Sequence, residues 1–212
     1  MQVADIGCGT GASTLVLAEE LDADITAVDF LEDFLDQLAI RAQAGGCGGR
    51  IKTQAASMDA LAFEAQSLDA IWSEGAIYNM GFEKGIRAWR PFLKPGGILA
   101  LSELTWLTGE RPAELDRHWM QLYPEVATAS AKIAVLEANG YAPVGYFALG
   151  KRCWLENYYR PLQARFADFL ARQSHSQAAR ALVQAEEEEI ALYERFSAYY
   201  SYGYFLASRT AD

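Results

Sequence analysis

Gly7, Gly9 and Gly11 alternate along Ile6-Gly7-Cys8-Gly9-Thr10-Gly11, directly after an apolar run at 3–6 and directly before residues 12–21, where Leu15, Ala18 and Leu21 share a helical face. Residues without side chains let the backbone turn sharply and approach a ligand closely. The helix that follows offers free N–H groups and a positive dipole end. Asp5 stands two positions before the first glycine, where a carboxylate suits a cationic aminoacyl group. Asp29 closes a second apolar run and is followed by Phe30, a placement suited to bidentate hydrogen bonds with ribose hydroxyls. Ser57-Met58-Asp59 follows a third run, where a carboxylate can accept from an adenine amino group while Met58 lies against the ring. The chemistry these residues share is capture of one small, adenosine-bearing molecule.

The glycines alone do not choose that molecule, because Gly7-x-Gly9-x-x-Ala12 also satisfies a loose dinucleotide fingerprint. The elements that position them narrow the architecture. Strands are expected at 2–6, 25–29, 51–56, 68–73, 98–104, 141–149 and 200–208, and helices at 12–21, 31–42, 82–93, near 119–123 and at 130–138. Lys94-Pro95-Gly96-Gly97 reads as a turn that stops the helix before it. Strands alternating with helices imply crossover connections and a parallel sheet covered on both faces. Two further helices, 152–173 and 176–199, interrupt the pattern before the terminal strand.

The 212 residues fit one domain, 1–212, with 150–199 as a helical insertion. A net charge of -10 argues against a nucleic-acid partner, whose binding rests on Lys and Arg releasing counterions, and disfavours an anionic membrane surface. Cys8, Cys47 and Cys153 have no zinc-site spacing, so no metal is expected, and their odd number fits a reducing cytoplasm better than a disulfide framework. No apolar run approaches the length of a membrane span.

Val3-Ala4-Asp5-Ile6-Gly7-Cys8-Gly9-Thr10-Gly11, taken with Ala27-Val28-Asp29, Ser57-Met58-Asp59, the stretch from Ile71 to Asn79 and Lys94-Pro95-Gly96-Gly97, resembles the class I S-adenosylmethionine-dependent methyltransferases, and within them the small-molecule UbiE and methyltransferase-11 type. The resemblance covers roughly residues 1–106. It implies a Rossmann-like, seven-stranded, mostly parallel α/β sheet in the order 3-2-1-4-5-7-6, with the seventh strand antiparallel. It also implies S-adenosyl-L-methionine as cofactor: the turn of Gly7, Cys8, Gly9, Thr10 and Gly11 with Asp5 for the methionine moiety, Asp29 and Phe30 at the ribose side, Ser57, Met58 and Asp59 around adenine, and Glu74 at the sulfonium. The family normally has helices before its first strand, whereas here Met1 lies almost inside it. Either an upstream segment is missing from this chain, or the insertion and a neighbouring subunit of a homodimer cover the cofactor.

Ligands of open α/β sheets bind outside the carboxyl ends of the strands. That brings Glu74, Tyr78 and Asn79, then Trp106, Arg111, His118, Trp119 and Tyr123, then Trp154, Glu156, Tyr158 and Tyr159 to one face, under an insertion expected to act as a cap over a small-molecule methyl acceptor. Methyl transfer needs alignment and exclusion of water more than acid–base help, and Glu74 or His118 is the nearest thing to a general base. The run 186–189 of four glutamates reads as a solvated helix face. Two other readings share the glycine turn: a nicotinamide-dependent oxidoreductase, and a non-catalytic module that retains S-adenosylmethionine or its product.

Overall fold

In a computed structural model, which describes residues 1–211, a single sheet runs through the molecule. Its strands are β1 (Gln2–Ile6), β2 (Asp24–Asp29), β3 (Ile51–Ala55), β4 (Leu68–Glu74), β5 (Leu93–Trp106), β6 (Ala127–Thr128), β7 (Tyr141–Ala148) and β8 (Tyr200–Arg209). The order is β3-β2-β1-β4-β5-β8-β7, and β6 pairs with β5 off that path. β8 alone runs against the direction of the other strands, antiparallel to β5 and to β7. With the two-residue β6 set aside, this is the expected order.

The helices are α1 (Ala12–Glu20), α2 (Glu32–Ala44), α3 (Phe82–Trp89), α4 (Ala113–Leu122), α5 (Ala129–Ala138), α6 (Lys151–Trp154), α7 (Arg160–Gln163), α8 (Phe166–Arg172) and α9 (Gln177–Phe196). Side chains alternate across a strand, so β1 feeds both faces. Val3 packs with Leu17, Ala18, Ile25 and Ala42 on the α1/α2 side, whereas Ala4 and Ile6 join Ile71, Ile86, Trp89 and Leu136 on the α3/α5 side. Burial on both faces is why β1 is apolar nearly throughout. A third cluster sits at the far end of the sheet, where Leu104 and Trp106 of β5 meet Leu115, Ile190, Tyr193 and Tyr200.

Three expectations are corrected. Helix α3 ends at Trp89, because Pro91 lies in a 3-10 turn at Arg90–Phe92. Strand β5 begins at Leu93 rather than at 98: Lys94 to Gly97 form an irregular opening to the strand, between the pairs Leu68↔Leu93 and Ala70↔Ile98, with Gly96 at φ 78. The insertion has three helical parts instead of two, since α6 and α7 are joined by a π-helical turn at Leu155–Tyr159 and α8 stands alone. Strand β6 pairs through only Ala127 and Thr128, against Thr105 and Trp106, too short to leave a periodic signature. Among the described residues no helix is long and apolar enough to cross a membrane.

Trp89 ties the sheet's helical cover to the loop after β3. Its side chain is fully buried, and its Nε1 donates to the Met58 carbonyl at 2.9 Å. Trp89→Phe keeps most of the ring but leaves that carbonyl without its donor, a loss of about 1–3 kcal/mol; Trp89→Ala adds a cavity and costs about 3–5 kcal/mol. Urea denaturation of the two variants should reproduce that order, and equal midpoints would refute the part assigned to the hydrogen bond.

Candidate functional site

The three glycines of the turn turn out to serve different needs. All have positive φ: 75° at Gly7, 55° at Gly9 and 83° at Gly11. A Cβ on Gly7 would lie 2.4 Å from the Ala76 Cβ, and one on Gly11 would lie 2.1 Å from the Leu38 Cδ1, so these two let the turn press against the loop after β4 and against α2. A Cβ on Gly9 would meet nothing within 4 Å. Gly9 therefore faces the open cleft over the carboxyl ends of β1 and β2.

Hydrogen bonds hold the turn in place. The amides of Gly7 and Cys8 donate to the Val28 carbonyl at 2.8 and 3.0 Å. Gly9 N donates to Asp29 Oδ2 at 2.8 Å, and Leu31 N donates to Asp29 Oδ1 at 3.0 Å. Each carboxylate oxygen can accept more than one hydrogen bond, so Asp29 still has acceptor capacity toward the cleft. Beside it Phe30 is 75% exposed, and the Met58 Cε lies 3.7 Å from where a Gly7 Cβ would stand. The Ser57 hydroxyl donates to Asp59 Oδ1 at 2.7 Å and holds that exposed carboxyl below the usual range. The carbonyl and hydroxyl of Thr10 both accept from Arg41 Nη1, at 2.6 and 3.3 Å, which anchors the turn to α2. Cys8 is buried and its thiol is pushed up by burial, so it fills space and is no nucleophile.

Asp5 departs from expectation. Its side chain is 1% exposed and accepts from the Thr14 hydroxyl of α1 at 2.6 Å, so the carboxyl lies under the turn rather than in the cleft. Burial pushes it up to about 7, against the Thr14 hydrogen bond and with the Glu74 and Asp29 charges adding to the rise.

Next to the cleft, beyond Glu74 and Gly75, lies a cavity of about 610 Å³. Glu74, Tyr78, Trp119, Trp154 and Tyr158 line it as the sequence suggested. Both oxygens of Glu74 are engaged: Oε1 accepts from Trp72 Nε1 at 2.7 Å and Oε2 from the Tyr204 hydroxyl. The other expected residues stand elsewhere. Trp106 is the last residue of β5, paired with Tyr200 and buried against its ring. Arg111 stacks on Trp106 at 4.2 Å and binds Asp116 at 2.7 Å, so its charge is used within α4 and its approach. Asn79 donates back to the Ala76 carbonyl at 3.0 Å. His118 packs edge-on to Trp119, at 5.1 Å between ring centres, and is not among the lining residues.

Tyr123, which the sequence sets on that face, lines the cavity too, and so do Glu103, Glu189, Tyr202 and Tyr204, which the sequence does not set there. Glu189 corrects the reading of residues 186–189 as a solvated face, because it lines the cavity and accepts from the Tyr159 hydroxyl at 2.9 Å. Glu103 lies in the middle of the apolar run of β5 and is 2% exposed. Its Oε1 accepts from Leu104 N at 2.8 Å, while its Oε2 and the neighbouring Tyr123 hydroxyl make no hydrogen bond of good geometry among the described residues. Burial pushes Glu103 up to about 7; the Lys132 ammonium, the Leu104 amide and the Tyr123 hydroxyl pull it down, and Glu125 adds to the rise. A charged residue inside an otherwise apolar strand is the signal that could have marked it.

The buried Asp5 has a measurable consequence. A carboxyl whose folded pKa of about 7 exceeds its reference of 3.8 stabilises the fold fully below the reference, and that contribution is lost as pH rises through the folded value. At about 1.4 kcal/mol per unit, the wild type should lose roughly 2–3 kcal/mol relative to Asp5→Asn between pH 5 and 8. Urea denaturation at both pH values measures it; parallel pH profiles for the two proteins would show that Asp5 does not hold its proton in the fold.

Comparison with known proteins places this geometry. A family model described as a methyltransferase domain matches residues 3–97. An uncharacterized protein of Synechococcus is 35% identical over 100 residues, 46% of this chain and 24% of its own length. The 27-O-demethylrifamycin SV methyltransferase of Amycolatopsis mediterranei is 26% identical over 116 residues, 54% of this chain and 43% of its own. The chain thus spans less than half the length of these curated relatives. Among solved structures, an S-adenosylmethionine-dependent methyltransferase from Geobacter sulfurreducens, in complex with S-adenosyl-L-homocysteine, superposes with a TM-score of 0.85 at 18% identity, over 98% of this chain and 84% of that one.

Proposed function

We propose that this chain is a class I S-adenosylmethionine-dependent methyltransferase that binds S-adenosylmethionine over the glycine turn and transfers its methyl group to a small-molecule acceptor in the adjoining cavity. The observation that carries this reading is one loop that adjoins both the glycine turn and the cavity. Ala76, after β4, lies 2.4 Å from where a Gly7 Cβ would stand, and Glu74 and Gly75 just before it line the cavity of about 610 Å³.

The residues present fit such a cofactor. Gly9 leaves open space where a side chain would stand, so the backbone can lie against the methionine portion. Asp29 retains acceptor capacity for ribose hydroxyls, and the exposed Phe30, Met58 and the Ser57–Asp59 pair offer apolar surface and an acceptor for adenine. Thr10, Cys8, Gly7, Gly11 and Asp5 act beneath this surface, as the supports that shape the turn. When bound, the cofactor supplies an electrophilic methyl group on a sulfonium sulfur.

What the chain contributes is enclosure and alignment. Tyr78 and Tyr158 are about half exposed and stand at the cavity's rim, while Trp119, Trp154 and Tyr202 form deeper walls. The inserted segment after β7 provides Cys153, Trp154, Tyr158 and Glu189 to that lining, which supports its role as a cap that keeps water from the acceptor. Glu74, with both oxygens engaged, serves as the partition between cleft and cavity. The acidic charge and the three free cysteines suit a cytoplasmic enzyme of small molecules.

Calorimetric titration separates this reading from its rivals. The wild type should bind S-adenosylhomocysteine and not NAD, Asp29→Ala should weaken that binding by at least tenfold, and release of S-adenosylhomocysteine should be seen with a methyl acceptor. Binding of NAD alone would identify an oxidoreductase. Binding of the methyl donor without turnover on any acceptor of a broad panel would identify a sensor or scaffold.

A further inference from the structure

The lining of the cavity has a one-sided chemistry. Three carboxylate residues, Glu74, Glu103 and Glu189, face it, and its lining residues include no lysine or arginine. The rest of the wall is mostly aromatic, with Tyr78, Trp119, Tyr123, Trp154, Tyr158 and Tyr202 the main contributors. Aromatic faces attract cations through their ring quadrupole, and carboxylates attract them by charge, most strongly where water is excluded. An anionic ligand would meet only repulsion. A neutral ligand would leave the carboxylates unused.

Two of the three carboxylates are already committed. Glu74 accepts from Trp72 and Tyr204, and Glu189 accepts from Tyr159. Glu103 differs: it is 2% exposed and forms part of the cavity wall, yet its Oε2 has no hydrogen-bond partner among the described residues. Leaving a buried polar atom unpaired costs about 1–3 kcal/mol and more for a charge, so a group that meets it gains that much. The charged and titratable groups around Glu103 do not supply the missing donor. Lys132 donates to the Glu125 carbonyl at 3.2 Å and stands over the rings of Phe82, at 4.5 Å, and Tyr123, at 5.4 Å. Glu125 accepts from Phe82 N at 2.7 Å, and the Tyr123 hydroxyl, close enough to draw Glu103 down, makes no hydrogen bond of good geometry with its Oε2.

We infer that the methyl acceptor is an organic amine, held in this cavity as its ammonium, and that Glu103, with the Tyr123 hydroxyl beside it, receives the proton that must leave before transfer. The inference rests on the methyltransferase reading given above. An ammonium has no lone pair and cannot attack. After one proton passes to the Glu103 carboxylate, the free amine nitrogen uses its lone pair to form the new N–C bond as the C–S bond of the donor breaks. The bonding pair stays on sulfur, which becomes a neutral thioether. The product leaves as the N-methylated ammonium, and Glu103 returns its proton to solvent. For this step Glu103 needs to be ionised in part near neutral pH and still able to hold a proton, which matches its rise to about 7.

The test uses the whole chain and three matched series: benzylamine to 3-phenylpropylamine, the alcohols of the same length, and the corresponding carboxylates. S-adenosylhomocysteine affinity is measured first by calorimetry. On the loaded protein the amines should bind at least tenfold more tightly than the alcohols, and the carboxylates should not bind. Glu103→Gln should bring the amine preference below about threefold while leaving S-adenosylhomocysteine affinity unchanged, and with S-adenosylmethionine present it should cut the rate of N-methyl product formation, followed by mass spectrometry, at least a hundredfold. Alcohols or carboxylates binding as well as amines, no amine binding, or an amine preference that survives in Glu103→Gln would each overturn the inference. Should the variant fail to fold in a melting assay, the three series on the wild-type protein decide alone. Absence of S-adenosylhomocysteine binding would instead defeat the methyltransferase reading, and it is scored separately from the amine preference.

Discussion

The contact between Gly7 and Ala76 sets the geometry on which the rest of the site depends. With a Cβ at Gly7 only 2.4 Å from the Ala76 Cβ, no other residue type lets the turn after β1 close onto the loop after β4. That closure makes one continuous rim from the strand ends of β1, β2 and β4. It also fixes Glu74 and Gly75 where they serve both spaces, as the edge of the cleft and the wall of the cavity. Gly11 against Leu38 does the same on the α2 side. The freedom of Gly9 is useful only because its two neighbouring glycines have none.

Beneath that rim lies Asp5, a carboxyl placed where burial opposes its charge. The Thr14 hydroxyl donates to it, and the nearby Glu74 and Asp29 charges oppose its ionisation further. With its ionisation opposed up to about pH 7, it supports the first turn of α1 through Thr14. Asp29, at the surface of the turn, accepts from the Gly9 and Leu31 amides and has acceptor capacity left for a ligand. Two aspartates that the sequence assigns alike to the cofactor are thus separated by depth, Asp5 under the turn and Asp29 at its surface.

How legible the molecule is from its sequence depends on how local each cause is. The strands β1, β2 and β8 are written in short-range pattern, with apolar runs for the first two and aromatic residues alternating with small ones at the start of Tyr200–Arg209, and the glycine turn has its own spacing. Boundaries were missed where two signals compete: Lys94 to Gly97 look like a turn yet open β5, because pairing with β4 resumes at Ile98. Trp106, Arg111 and His118 were assigned to the cavity on the assumption that a loop began at Trp106. The strand runs one residue pair further, through the pairing of Trp106 with Tyr200 and Thr128, and that turns the indole into the core. Asn79 was placed by the same loop logic, but its side chain closes its own turn.

The cavity shows the opposite limit. Its wall is assembled from β4, β5, α4, the π-helical turn, α9 and β8, so no window of sequence contains it. The π-helical turn at Leu155–Tyr159 is part of the reason: it adds a residue to the helical repeat, so that Tyr158 reaches the rim while Tyr159 is buried beside Trp154 and Tyr193. Glu103 gave one hint, a lone carboxylate in an apolar strand, but its meaning depends on what stands opposite. In β8 the alternation that points Phe205 and Ala207 into the α3/α5 core points Tyr202 and Tyr204 toward Glu74 and the cavity. Glu103, paired with Gly203, stands on the face of Leu101 and Phe205, where the Lys132 ammonium and the Tyr123 hydroxyl offset part of the cost of burying its charge, groups that no window of sequence sets beside it.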